Sequence, residues 1–82
     1  MTSEAEIYQG LTQVLQDVFG DPSIAATPDL SADQVPGWDS VRMINIILAV
    51  EQHFGIRLRS KEIDQLKTVG DLANLVSAKL AA

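Results

Sequence analysis

The stretch Pro36-Gly37-Trp38-Asp39-Ser40-Val41-Arg42-Met43-Ile44-Asn45-Ile46-Ile47-Leu48-Ala49-Val50-Glu51-Gln52-His53-Phe54-Gly55 decides how this chain folds. Proline and glycine open it, and Asp39 stands where a helix cap belongs, its charge suited to the positive end of the helix. Apolar residues then recur at helical spacing until Gly55 stops the run. The pattern predicts a helix that begins at Asp39 or Ser40 and ends at Phe54. On a helical wheel with Ser40 at zero, Met43, Ile46, Ile47, Val50 and Phe54 fall between roughly 240° and 340°, a stripe that faces a core. Val41, Ile44 and Leu48 fall between roughly 40° and 100°, beside Ser40 and outside that stripe, with Glu51 next to them. A surface helix in a small protein does not need this second set to fold. Either it packs beneath a long loop or it is an exposed patch, and such patches mark docking sites. Val41, nearest the helix start, fits docking better; for Ile44 the two readings stand level.

Working outward, the N-terminal side carries another helix. Ser3 and Glu6 have capping-box spacing. Ile7, Leu11, Val14, Leu15, Val18 and Phe19 then share a face, and Gly20 and Pro22 end the run. The connection from Gly20 to Trp38 holds all three prolines and exceeds the ~12–15 residues usual for an unstructured loop. Ile24, Leu30, Val35 and Trp38 are apolar enough to pin it across the core, so it reads as ordered. Its length lets the second helix run roughly parallel to the first. On the C-terminal side, Ser60 reads as the cap of a short helix over about 61–66 that turns Ile63 and Leu66 inward. Thr68 and Asp71 have capping-box spacing for a last helix with Val69, Leu72, Ala73, Val76 and Leu80 on its buried stripe. No stretch alternates as a strand does. The expected fold is a small all-α four-helix bundle, three main helices plus one short, in a single domain spanning 1–82.

Composition narrows the function. Eighty-two residues bury only about 60% of the surface their unfolded form exposes, which favours one compact core over a chambered active site. Cysteine is absent, so no disulfide, zinc ribbon or protein thiol exists, and thiol chemistry has to arrive on a cofactor. Eleven acidic against six basic side chains give a net charge of −5, which opposes non-specific nucleic-acid binding. The same charge favours partners with basic docking surfaces, and it also serves plain solubility. The longest unbroken apolar run, Ile46 to Val50, falls far short of the ~20 residues that span a bilayer. Met1-Thr2-Ser3-Glu4-Ala5-Glu6 is polar and acidic, unlike a signal peptide, so a cytoplasmic monomer is expected.

Ser40 carries the chemistry of the motif. A nucleophilic serine needs a base within hydrogen-bond reach. The sole histidine, His53, lies roughly 20 Å further along the same helix at ~1.5 Å per residue. Ser40 therefore reads as a point of attachment, and no catalytic residue is assigned. Without cysteines or a second histidine, His53 reads as an exposed helix-end residue and no metal site is expected. Asp21, Asp29 and Asp33 lack the spacing and central glycine of a calcium loop. Arg57, Arg59 and Lys61 form a solvated turn first and a partner contact second. Trp38 reads first as an anchor of the loop over the core and second as a contact for a group attached at Ser40. Arg42 is a candidate either to steady a phosphate on Ser40 or to meet a partner.

With these features in place the chain resembles the acyl carrier proteins of the free-standing type. The family's Asp-Ser-Leu motif at the start of its second helix is met as Asp39-Ser40-Val41. Leu48-Ala49-Val50-Glu51-Gln52-His53-Phe54-Gly55-Ile56 is similar to the family's helix end, and Thr68-Val69-Gly70-Asp71-Leu72 to the start of its last helix. The resemblance extends from about Ile7 to Leu80. It implies that Ser40 bears 4′-phosphopantetheine transferred from coenzyme A by a phosphopantetheinyl transferase. It also implies that the arm's thiol holds an acyl group for acyl-loading and acyl-processing enzymes of a fatty-acid, polyketide or specialised pathway. A phosphodiester on Ser40 suits a helix N-terminus, where backbone N–H groups and the dipole favour an anion. Val41, Arg42, Ile44, Leu48 and Glu51 are the expected partner-facing residues, and Asp39 belongs to the motif as well as to the cap. Val41 departs from the usual leucine. Arg42 and Asn45 stand where fatty-acid carriers tend to be acidic. Gly37-Trp38 is similar to carriers of specialised pathways, D-alanyl carriers among them. The rival reading is a helical protein–protein adaptor in which Ser40 is only a helix cap; a hydrolase is the weakest, for want of a base.

Overall fold

The computed structural model describes residues 3–81; Met1 and Thr2 of the polar, acidic stretch 1–6, and Ala82, lie outside them. Four α-helices follow in order, α1 (Glu4–Phe19), α2 (Ser40–Phe54), α3 (Ser60–Asp64) and α4 (Val69–Ala81). A 3₁₀ turn at Ala32–Gln34 interrupts the long connection. Three substantial helices and one short one are the architecture expected from the pattern.

The helix ends follow from local chemistry. Ser3 Oγ accepts the Glu6 N–H at 3.2 Å to start α1, and the Asp39 carboxylate accepts the Arg42 N–H at 2.9 Å to start α2. The chain turns left-handed at Gly20 and Gly55, where α1 and α2 stop. At α4 the capping box closes in both directions. Thr68 Oγ1 accepts the Asp71 N–H at 3.2 Å, while the Asp71 carboxylate accepts the N–H groups of Lys67 and Thr68 at 3.0 and 3.2 Å. The short helix departs from its expected bounds. Ser60 is its first residue, with Arg59 at the cap position, and Glu62 reaches back to accept the Arg59 N–H at 3.0 Å. Regular helix ends at Asp64, and Leu66 follows in a turn closed by its N–H on the Ile63 carbonyl.

The apolar stripes meet in one core. Ile7, Leu11, Val14 and Leu15 of α1 pack with Ile46, Ile47 and Val50 of α2 and with Val69, Leu72, Ala73 and Val76 of α4. Ile46, Val50 and Val76 have no exposed surface, so each contributes the ~1.5–3 kcal/mol of a fully buried aliphatic side chain. Met43, Phe54, Ile63, Leu66 and Leu80 pack half-buried around the margin.

The expected parallel run of α1 and α2 is corrected: they are antiparallel. Arg42, at the start of α2, reaches the Val18 carbonyl at the end of α1, whereas a side chain at Gly10 of α1 would meet the rings of His53 and Phe54 at the end of α2. The length of the connection serves a different purpose. Leaving α1, it is tied back by Gln16, whose Nε2 donates to the carbonyls of Pro22 and Ile24 at 3.1 Å, and by Thr12, which accepts the Ala26 N–H at 2.9 Å. It then crosses to α4, where the Val69 N–H donates to Leu30 O at 2.7 Å and the Gly70 N–H to Pro28 O at 3.2 Å. A single antiparallel bridge pairs Ser31 with Thr68. Returning through buried Val35, the chain enters α2 beside the start of α4, so that Trp38 and Met43 share a cavity of about 60 Å³ with Thr68, Val69 and Leu72. Two N-terminal N–H groups of α4 thus find their acceptors in a loop some forty residues upstream. Composition alone does not announce that arrangement.

Candidate functional site at the start of α2

The loop delivers Ser40 through a tight turn. The Trp38 N–H donates to Val35 O at 3.2 Å across Pro36-Gly37. Proline pre-sets the first central position, and Gly37, at φ 86°, supplies the positive angle that the second central position of a type II turn requires. Trp38 is half-buried against the core, its ring 5.6 Å from that of Phe19, as expected of a loop anchor. Asp39 then caps the helix, and Ser40 opens it on the exposed side.

Val41, Ile44 and Leu48 are 65%, 61% and 52% exposed, so the loop does not cover them. Of the two readings of this second face, the structure selects the uncovered one. Below it, Ser40, Met43, Ile44, Ile47, Leu48 and Ile63 line an open, almost wholly apolar groove of about 330 Å³ between α2 and α3. The groove has Ser40 at its rim. Its far wall, Ile63, was legible in the sequence only as a core residue, because nothing local to α3 shows which part of α2 it faces.

Two residues expected to face partners are already engaged within the fold. Arg42 Nη1 donates to Val18 O at 2.7 Å, and its guanidinium lies 5.8 Å from the centre of the Phe19 ring. Glu51 is half-buried and its Oε2 accepts the Leu58 N–H at 2.9 Å, which holds the chain as it leaves α2. Arg42, which stays exposed, and the half-buried Glu51 thus each hold part of the fold besides standing among the residues expected to face partners. A signal for Arg42 existed in the sequence. The last turn of α1 has no basic residue, and Asp17 and Asp21 crowd its negative end, so a cation from elsewhere was wanted there.

The arrangement presents a hydroxyl and does not activate it. Asp39 is occupied as a cap, and His53 is exposed at the opposite end of α2 with its ring against Phe54. Among the described residues no three His, Cys, Asp or Glu side chains converge as a metal site. Beside Ser40, its own N–H and that of Val41 have no protein acceptor among the described residues, so a phosphate on the serine would meet donors and the positive helix end. An extended apolar arm leaving Ser40 has the groove beside it. The residues present thus fit an anionic linkage followed by an apolar or amphipathic chain.

Three of the five other serines show the contrast. Ser3 is bonded to Glu6 and caps α1, and Ser23 donates to Asp21 at 2.6 Å, an interaction that holds the Asp21 carboxyl below its usual range. Ser60 opens a helix of five residues between Arg59 and Lys61. Ser40 alone of these stands at the rim of the apolar groove.

Comparison with known proteins agrees with this geometry. Residues 9–76 match the family described as "Phosphopantetheine attachment site". An acyl carrier protein of Acidothermus cellulolyticus is 33% identical over 75 residues, covering 92% of this chain and 89% of that protein. One from Thermobifida fusca is 32% identical over 74 residues, covering 90% of this chain and 94% of its own length. The solution structure of a holo acyl carrier protein from Geobacter metallireducens superposes with a TM-score of 0.86 at 41% identity, over 92% of this chain and 86% of that one.

Proposed function

The chain belongs to the phosphopantetheine-attachment family of acyl carrier proteins, and from that premise we propose that Ser40 is the residue that bears the 4′-phosphopantetheine arm. As a member of that family the protein is a carrier, not a catalyst. The observation that supports Ser40 is its position: an exposed hydroxyl in the first turn of α2, at the rim of the apolar groove and beside N–H donors that have no acceptor among the described residues. When bound, the arm supplies the terminal thiol that a cysteine-free chain lacks, on which an acyl group is held as a thioester. The chain's own residues present and are recognised. Asp39 holds the first turn of α2 in shape through the Arg42 N–H. Val41, Ile44 and Leu48 offer an apolar face beside the attachment point for the transferase and for acyl-loading and acyl-processing enzymes.

Family membership displaces the adaptor reading, in which Ser40 was only a helix cap, a place that Asp39 holds. The Gly37-Trp38 pair and the absence of acids between Ser40 and Val50 support service in a specialised acyl-transfer pathway. Action as a cytoplasmic monomer in a single carrier domain belongs to the same proposal.

The test is incubation of the cysteine-free chain with coenzyme A and a phosphopantetheinyl transferase, read by intact-protein mass. One arm on the wild type and none on Ser40→Ala is the expected result. An arm on Ser40→Ala, or one mapped to another serine, overturns the assignment.

A further inference from the structure

Arg42 sits two residues after Ser40 but points elsewhere. On the wheel it lies at about 200°, on the opposite flank of the core stripe from the exposed face at roughly 40° to 100°. Its guanidinium takes the Val18 carbonyl of α1 at 2.7 Å and lies over Phe19 at 5.8 Å. Phe19 in turn meets Trp38 at 5.6 Å, the residue that precedes the Asp39-Ser40 pair. Meanwhile the Arg42 backbone N–H is the donor held by the Asp39 carboxylate. One residue therefore joins the end of α1, the end of the loop and the first turn of α2.

The physical need for this joint is plain. A helix C-terminus leaves four carbonyls without intrahelical partners. In α1, Gly20 and Asp21 return their N–H groups to Gln16 O, which leaves the later Val18 carbonyl to be met from outside. Asp17 and Asp21 add negative charge at an end that is already negative, with no basic residue in that turn to offset it. A guanidinium supplies both a charge-assisted donor and a flat face for the aromatic ring. An ammonium supplies the charge without the flat face.

We propose that Arg42 is a positioning residue: by clamping the first turn of α2 to the end of α1 it fixes the presentation of Ser40 to the transferase, and it is not itself a contact for partner enzymes. The proposal rests on Ser40 as the attachment residue. It accounts for a cation at a place where a surface charge would otherwise be read as recognition. Small displacements of a reacting group are costly; a shift of ~1 Å from a distant substitution can lower a rate by about 100-fold.

The experiment compares wild type, Arg42→Ala, Arg42→Gln and Arg42→Lys as substrates for transfer from coenzyme A, at low and high salt. Each is paired with the emission of Trp38, the single tryptophan. For Arg42→Ala we expect transfer efficiency to fall by about tenfold, within the range such misplacement causes, with an equal fall at both salt concentrations and altered Trp38 emission. Arg42→Gln keeps a donor for the Val18 carbonyl without charge, and it is expected to recover part of the rate. Arg42→Lys is expected to recover no more than part. Full rescue by lysine, none by glutamine, a defect that salt abolishes and unchanged Trp38 emission would together make Arg42 a partner-facing charge and overturn the proposal. Wild-type rates in all three variants overturn it as well, leaving Arg42 a helix cap alone. Should Arg42→Ala fail to fold, the glutamine and lysine variants carry the same decision. Wild-type protein that accepts no arm, or accepts it elsewhere than Ser40, is a failure of the attachment reading and is seen before any Arg42 variant is compared.

Discussion

The starts of α2 and α4 use the same local chemistry toward opposite ends. Each has an aspartate accepting backbone N–H groups, Asp39 at α2 and Asp71 at α4. At α4 the loop then covers the helix end, giving the carbonyls of Leu30 and Pro28 to the N–H groups of Val69 and Gly70. At α2 no loop carbonyl among the described residues closes over the helix start. Ser40 and Val41 stand exposed, with the groove beside them. A capped helix start is a structural device when the fold closes over it and a presentation device when the fold leaves it open. Sequence motifs of the cap do not distinguish the two; burial does.

Several substitutions break or sharpen that contrast. Closing is most easily broken at Gly70, where a Cβ would lie 2.9 Å from Pro28 O, a backbone atom that cannot swing aside. Gly70→Ala is expected to lower stability by about 1–3 kcal/mol as the loop is pushed from α4, measured by chemical denaturation. A variant as stable as wild type would mean that the loop does not hold the start of α4. Next in size is Asp39→Ala, which removes the α2 cap. A loss of ~1 kcal/mol with slower arm transfer is expected, since the frayed turn is the one bearing Ser40. Unchanged melting and transfer together would deprive Asp39 of both roles.

The closed start also has a pH signature. Hydrogen bonds from the Lys67 and Thr68 N–H groups hold the Asp71 carboxyl below its ordinary value. A carboxyl lowered on folding adds stability that is present above its unfolded pKa and is lost as pH falls through the lower, folded value. Asp71→Asn is therefore expected to be less stable than wild type near neutrality, with the gap narrowing in acid, as read from melting temperature against pH. A gap independent of pH would assign the effect to shape alone.

The smallest effect on stability belongs to the open start. Val41→Asp is expected to change stability by no more than ~0.5 kcal/mol, because the side chain is 65% exposed and an acid in the first turn suits the dipole. Its rate of modification should fall nonetheless, since an apolar contact with the transferase is replaced by a charge. Normal modification of Val41→Asp would show that the exposed face is not where the transferase docks.

The sequence by itself determined the three long helices, their caps and the exposed serine, because these rest on spacing and on contacts three or four residues apart; the cap and end of the short α3 it placed wrongly. Asp39 with Arg42, Thr68 with Asp71, and the period of the core stripes are all of that kind. It also marked Val41, Ile44 and Leu48 as surplus to the core of α2, since a wheel shows which residues share a face. Tertiary structure alone decided whether that face was covered, and it decided the antiparallel run of α1 and α2. It brought Ile63 to the groove, the Leu30 and Pro28 carbonyls to α4, and Arg42 to Val18. These contacts join residues far apart in the chain, and their geometry depends on how whole helices pack. Periodicity fixes which way a side chain faces on its own helix, but what it faces is fixed only when the other helices and the loop have been placed.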